Sequence, residues 1–282
     1  MKLYKLRTGI LLEHNNAFYQ ILRTNWDRLI NQESLHAVLK KKLQAGLPPI
    51  APQGAKRWIE TELQAPVGRQ EVWASGVTYF RSREARIEES KDAGGGDFYD
   101  RVYAAERPEL FFKATAERTV GSGDLVNIRK DSTWDVPEPE LTLFINTQGI
   151  IQGYTIGNDM SSRSIEGENP LYLPQAKTYD RCAALGPCLY VPAAPLPDHT
   201  NIVLEIKRSG NPVFKDAIAI SQMKRSHTEL ASFLFRACTF AHGCYLMTGT
   251  GIVPPNSFTL SGGDEVHISI DPIGTLVNTV SY

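Results

Sequence analysis

Two β-forming runs, Trp134–Asn146 and Ile151–Ile156, flank the turn-like Thr147-Gln148-Gly149-Ile150, and this arrangement constrains the fold more than any other feature of the chain. Pro137 and Pro139 on either side of Glu138 disfavour helix and fit a strand start or an edge. The runs therefore read as an antiparallel hairpin. Glu138 and Glu140 are two apart, so in an extended chain they project from one face. With the turn centred between Gln148 and Gly149, Glu138 lies across from Asp159, because their distances from the turn match. Cross-strand partners sit about 4.5–5.5 Å apart at Cβ, and three carboxylates then converge. Like charges so close repel unless one is protonated or a cation sits among them. Oxygen-only ligands select a hard ion such as Mg²⁺, Mn²⁺ or Ca²⁺. The same residues also read as exposed strand positions (Glu138, Glu140) and a turn cap (Asp159), and a one-residue slip would break the pairing.

The surrounding chain predicts an α+β, mostly β fold. The first fifty residues read as a small unit: a strand, a mixed segment, then Glu33 to Leu43 with Leu35, Val38, Leu39 and Leu43 at helical spacing. Gly46, Pro48, Pro49, Pro52 and Gly54 make a boundary, and we divide the chain into a small N-terminal domain, 1–65, and a catalytic domain, 66–282. From Glu71, EVWASGVTYF is strand-like. The mixed-charge stretch Arg81 to Lys91 reads as a solvated helix, ended by the loop Gly94-Gly95-Gly96. Neither phosphate-binding glycine motif is present. Beyond Phe111, short strands alternate with Gly, Pro, Asn and Asp. One long helix stands out, with Ser226 and Glu229 as a capping box and Leu230, Phe233, Leu234 and Ala237 on one face. The order lacks the alternation of a doubly wound sheet.

Composition narrows the function classes. The 282 residues carry a formal net charge of −1, so no global basic field exists to hold nucleic acid or an anionic membrane. No stretch approaches the roughly 18 apolar residues of a membrane span, and Lys2, Lys5 and Arg7 precede no apolar signal region. A cytoplasmic protein is expected. Cys182, Cys188, Cys238 and Cys244 form no C-x-x-C pair and read as reduced, mostly buried thiols. The six histidines form no H-E-x-x-H pair, and no G-x-S-x-G elbow is present.

Several pieces in order resemble the fumarylacetoacetate hydrolase family from about Trp73 onward. They are Phe112-Lys113, Glu138-Pro139-Glu140, Gly157-Asn158-Asp159-Met160-Ser161-Ser162-Arg163, Lys177 with Asp180, Leu185-Gly186-Pro187, Thr248-Gly249-Thr250-Gly251, Gly262 to Val266 and Ile273 to Asn278. The resemblance implies a mixed, mostly β roll and an assembly of two or four copies. It also implies Mg²⁺ or a similar ion on Glu138, Glu140 and Asp159, Lys177 in the active site, and the Thr248–Gly251 turn against a substrate carboxylate. One departure matters. Family hydrolases that cleave carbon–carbon bonds carry Tyr-x-x-His-x-x-Glu, whereas here Tyr79 is followed by Ser82 and Ala85 at those positions. A hydrolase without that histidine needs another general base. The 2-keto-3-deoxy-D-arabinonate dehydratase branch is more similar at Gly76–Tyr79, at Arg107–Thr115 and at Glu168-Asn169-Pro170-Leu171-Tyr172-Leu173-Pro174-Gln175.

That branch implies a lyase acting on a small 2-oxo acid. The substrate carboxylate and 2-oxo oxygen chelate the cation, which acidifies C3 as a Lewis acid. A base takes a C3 proton, an enolate is held at the cation, and the C4 hydroxyl leaves; the five-carbon product is 2,5-dioxopentanoate. Lys177 is the first candidate for the base or for an enolate-stabilising cation, and Glu109 is the alternative base. Ser82, Lys113 and Thr250 are candidate substrate contacts. Read without the family, Lys177 is a surface lysine, Glu109 a solvated strand entry, Lys113 a snorkelling side chain and Thr250 part of an ordinary turn. Two alternatives stay open: a hydrolase of acylpyruvates or related diketo acids, and a non-catalytic binding protein on the same fold.

Overall fold

The computed structural model describes residues 1–89 and 101–282. The first strands are β1 (Lys2–Leu6), β2 (Gly9–His14), β3 (Ala17–Ile21), β4 (Pro49–Ile50), β5 (Glu71–Gly76), β6 (Glu109–Ala114), β7 (Thr119–Val120) and β8 (Leu125–Asn127). Then come β9 (Asp135–Ile145), β10 (Ile151–Ser162), β11 (Ala183–Tyr190), β12 (Asn201–Arg208), β13 (Asn211–Ala219), β14 (Cys244–Met247), β15 (Glu265–Ile270) and β16 (Gly274–Ser281). An eleven-stranded sheet runs β4-β3-β2-β1-β11-β10-β9-β14-β5-β6, with β7 also paired to β11, and a five-stranded sheet runs β13-β12-β15-β16-β8. Most pairs are antiparallel, but β14–β5, β11–β7 and β16–β8 are parallel. The mostly β character expected from the sequence is observed, and the mixed roll implied by the resemblance takes the form of two mixed sheets.

All eleven residues of β9 are buried, so the strand has apolar or shielded surroundings on both faces. Leu141, Leu143 and Ile145, with Ile156 and Met160 of β10, meet Ile202, Leu204, Ile206, Val266, Ile268 and Leu276 between the sheets. Phe144, on the other face, joins Tyr245, Met247, Leu185, Leu189 and the residues Trp26, Leu29, Ile30, Leu35 and Leu39. Each such side chain contributes about 1.5–3 kcal/mol by leaving water. Alternation places Glu138, Glu140 and Thr142 on the Phe144 face. The strands β1 to β4 continue the large sheet, β1 pairing Leu3 with Leu189 of β11.

The hairpin has the expected partners for an unexpected reason. Glu138 does pair with Asp159. Yet Ile145 faces Ile151 across the turn, which centres it on Gln148, half a residue earlier than the sequence reading. Asn146 closes this turn, its side-chain oxygen accepting from Gln148 N (3.0 Å) and Ile150 N (2.9 Å). Gly149, at φ +79°, supplies the left-handed residue. The register then shifts between Ile151 and Gly153: Gln152 is an extra, bulged residue. Its side chain accepts from Leu35 N (2.7 Å) and donates to Glu33 O (3.2 Å), fixing the bulge to the helix Leu35–Gln44. Without that bulge Asp159 would face Pro137.

Other boundaries moved. The Pro48–Gly54 boundary is β4 followed by the first turn of a helix, Pro52–Glu62, and Pro52 sits where its missing N–H leaves no partner wanting. The strand expected through Phe80 stops at Gly76, and a helix, Phe80–Glu89, begins; Val77, at φ +53°, turns the chain between them. Lys91 and the Gly94-Gly95-Gly96 loop lie outside the described residues. The helix His227–Leu234 has Ser226 Oγ accepting from Glu229 N (3.1 Å). Glu229 itself turns to Arg225 (2.7 Å) rather than back to the cap, and the helix ends before the exposed Ala237. Cys182, Cys188 and Cys244 are buried free thiols, whereas Cys238 is exposed. Among the described residues no helix is long and apolar enough to cross a membrane.

Candidate active site

Glu138, Glu140 and Asp159 converge as the hairpin register requires. Each is buried, and each offers a carboxylate oxygen within 4.8 Å of the others. The readings as exposed strand positions and a turn cap therefore fail. Three cationic side chains surround them. Lys177 Nζ donates to Glu138 Oε2, to Asp159 Oδ2 (3.2 Å) and to Ser161 Oγ (2.6 Å). Lys113 Nζ pairs with Asp159 Oδ1 (2.6 Å) and donates to the backbone oxygens of Met160 (2.8 Å) and Lys177. Arg163 Nη2 donates to Glu138 Oε1 (2.6 Å), and its Nη1 reaches Glu166 Oε2 (3.4 Å). Both lysines are at most 1% exposed, so Lys177 is no surface lysine and Lys113 does not snorkel to solvent.

Glu140 has a different environment. The Gly249 amide donates to its Oε2 (2.5 Å). Burial first, then the charges of Asp159 and Glu138, raise its carboxyl well above the usual carboxylate range. Proximity to other acids in a buried place is the condition that a bound cation relieves. The donor set is three carboxylates, the oxygen ligands of a hard ion. Asp159 Oδ1 touches Lys113 without an aligned hydrogen bond, so it keeps lone pairs for a further partner. The residues fit Mg²⁺.

The Thr248–Gly251 turn reaches the site through its backbone. Thr78 Oγ1 donates to Thr248 O (2.7 Å). A Cβ on Gly249, which has φ +95°, would fall 2.0 Å from that same hydroxyl oxygen, so only glycine brings its amide to Glu140. Thr250 is buried and its hydroxyl closes on Ile252, accepting from N and donating to O, both at 3.2 Å. Ser82 is also buried; its hydroxyl donates to Tyr79 O (2.8 Å) and accepts from Tyr79 N (3.3 Å), pinning the start of the helix Phe80–Glu89. Glu109, Phe111 and Lys113 alternate onto one face of β6. Phe111 lies under Lys177, with Nζ 5.7 Å from the ring centroid. Glu109 is at the half-buried end of that row, about 13 Å of strand from Lys113. Gly76 opposite it gives the carboxylate room, since a Cβ there would lie 2.0 Å from Glu109 Oε2.

Sequence reasoning did not single out Arg163, Ser161 or the Gly249 amide. Arg163 and Ser161 stand in the quoted Gly157–Arg163 run, but nothing local distinguishes them from a polar strand end. Tyr79, named from the sequence only as the head of the altered motif, is 1% exposed, its hydroxyl has no hydrogen-bond partner among the described residues, and its ring packs on Gly251.

The chain matches a family model, fumarylacetoacetate (FAA) hydrolase C-terminal, over residues 76–281. A probable 2-keto-3-deoxyxylonate dehydratase of Haloferax volcanii is 49% identical over 225 residues, covering 79% of this chain and 76% of that protein. The 2-dehydro-3-deoxy-D-arabinonate dehydratase of Saccharolobus solfataricus is 41% identical over 223 residues, covering 78% and 75%. A solved structure of 2-keto-3-deoxy-D-arabinonate dehydratase complexed with magnesium and 2,5-dioxopentanoate superposes with a TM-score of 0.84 at 31% identity, covering 100% of this chain and 99% of that one. The β9–β10 carboxylates, the two buried lysines and the glycine turn thus sit on a shared scaffold, and the chain belongs to the fumarylacetoacetate hydrolase family.

Proposed function

We propose that this protein is a Mg²⁺-dependent dehydratase of a 2-keto-3-deoxy sugar acid, a hydro-lyase of the kind its dehydratase relatives are named for. The observation that carries this reading is the buried carboxylate trio with Lys177 hydrogen-bonded across it; in keeping with it, the sequence has Ser82 at the position where the resemblance to family hydrolases would put a water-activating histidine. Elimination needs a base and a charge-stabilising cation but no attacking water.

Glu138, Glu140 and Asp159 would hold Mg²⁺, and the bound ion would supply Lewis-acid polarisation of the 2-oxo group, which would acidify C3. Lys177 accepts the C3 proton once it has released one of its own, or stays an ammonium and stabilises the enolate charge while Glu109 takes that proton. The partners of Lys177 are all side chains, so it can exchange them for substrate. Lys113 is tied to two backbone oxygens and a carboxylate and keeps Asp159 in place. Glu109, from the half-buried end of the row, serves the departing C4 hydroxyl or acts as the second base. Ser82 and Thr250 contact the substrate by trading their local backbone partners for its oxygens. The C3–H and C4–O bonds break, a C3–C4 double bond forms, and proton shifts give the aldehyde.

Product analysis by mass spectrometry tests the reading. With Mg²⁺ and 2-keto-3-deoxy-arabinonate or its xylonate counterpart, the expected product is lighter by one water and carries an aldehyde. Cleavage of an acylpyruvate into two acids, with no turnover of the sugar acids, would return the protein to the hydrolases.

A further inference from the structure

The chain between the two cationic groups on Glu138 is a single short strap. It leaves β10 at Ser162, whose Oγ accepts from Ile165 N (3.3 Å) and starts the helix Arg163–Glu168. Asn169 then turns the chain, its side chain accepting from Leu171 N (2.9 Å). Leu171 stands 83% exposed at the apex, and the return helix Leu173–Lys177 brings Lys177 back to the site. The strap's two ends grip the two oxygens of one carboxylate: Arg163 holds Oε1 and Lys177 holds Oε2. The Glu168–Gln175 run, one of the pieces that carry the resemblance to the dehydratase branch, is the connection between them.

The two grips differ in kind. Lys177 shares its ammonium among three side-chain oxygens and is the cation that catalysis asks to change partners. When it turns to substrate, Glu138 loses that counter-charge, and a buried carboxylate stripped of its partner is strongly destabilising. Arg163 is 2% exposed and carries Glu166 on its second terminal nitrogen. Its planar fork cannot deprotonate and is fixed between two acids.

We propose that Arg163 is a positioning residue: it is the standing counter-ion of Glu138, holding Oε1 so that Oε2 is presented to the cation while Lys177 exchanges partners. Glu166 braces it. This rests on the reading that the carboxylate trio binds a divalent ion.

Mn²⁺ binding to the full chain, followed by electron paramagnetic resonance of free Mn²⁺, tests this with thermal midpoints as the folding control. Arg163→Met is expected to bind Mn²⁺ about 10–100-fold more weakly, with turnover at saturating Mn²⁺ falling less than affinity. Arg163→Lys falls between Met and parent, because charge returns without the fork. Glu166→Gln loses less than about tenfold. A folded Arg163→Met with affinity within about twofold of the parent overturns the proposal. Should that variant not fold, Arg163→Lys decides: weakened binding supports the role and parental binding overturns it. A parent that binds no Mn²⁺ overturns the trio reading itself, an outcome visible before any variant is made.

Discussion

The two faces of the β9–β10 hairpin are equally buried and do opposite work. Toward the small sheet, Leu141, Leu143, Ile145 and Ile156 are all 0% exposed and pack with Ile202, Leu204 and Ile206 of β12 and Ile268 of β15. Toward the other side, Glu138 and Glu140 are closed in by Lys177, Arg163 and the Gly249 amide. The first face gains free energy by leaving water, about 25 cal/mol per Å² of apolar surface. The second loses hydration and recovers it only through opposite charge and hydrogen bonds. The small-sheet side is apolar throughout, whereas the other side carries the chemistry at Glu138 and Glu140 and returns to apolar packing at Phe144.

Substitutions can break that division in order of size. Glu138→Gln with Glu140→Gln should abolish cation binding and activity together, read by Mn²⁺ titration and product formation; activity that survives chelation would refute the metal role. Lys177→Met should lower kcat by about 10²–10⁴-fold, the usual range for a proton-transfer group, while Mn²⁺ still binds. On the apolar face, Leu143→Ala should destabilise the fold by about 2–5 kcal/mol in denaturant unfolding and leave Mn²⁺ affinity unchanged. A large shift in that affinity would mean the faces are coupled.

The smallest effect belongs to Asp135, at the start of β9. Burial pushes its carboxyl up to about 6, against the opposing hydrogen bond from Ser132 and the charge of Arg129. A raised folded-state value means the native chain holds this proton while the unfolded chain has released it. Its stability contribution is therefore present below about 4 and is lost as pH rises through about 6. Asp135→Asn should flatten that part of the pH profile of Tm; an unchanged profile between about pH 4 and 7 would remove Asp135 as its source.

The site was partly legible because its chemistry is encoded at short range. Two glutamates two apart between prolines, a turn and an aspartate suffice to suggest converging carboxylates. The register came out right through two offsetting differences: a turn centred on Gln148, and a bulge at Gln152. The bulge is held by Glu33 and Leu35, more than a hundred residues earlier, so no reading of the hairpin alone contains it. Lys113 and Lys177 were candidates through family resemblance, since an isolated lysine in sequence reads as solvent-facing. Ser82 and Thr250 were named for their positions, and their local hydrogen bonds emerged only in the fold.

Residue order was enough for the mostly β character, the hairpin and a candidate hard-ion donor set, because alternation, proline and glycine placement and side-chain chemistry act over a few residues; the family was legible only through the resemblance of its ordered motif pieces. Which cation serves which carboxylate was settled in three dimensions. Arg163 and Lys177 reach opposite oxygens of Glu138 while Lys113 is locked to the backbone, and those assignments depend on how strands distant in sequence are brought together. Electrostatics in a buried site is set by distances of a few ångströms and by the exclusion of water, and neither is written in residue order.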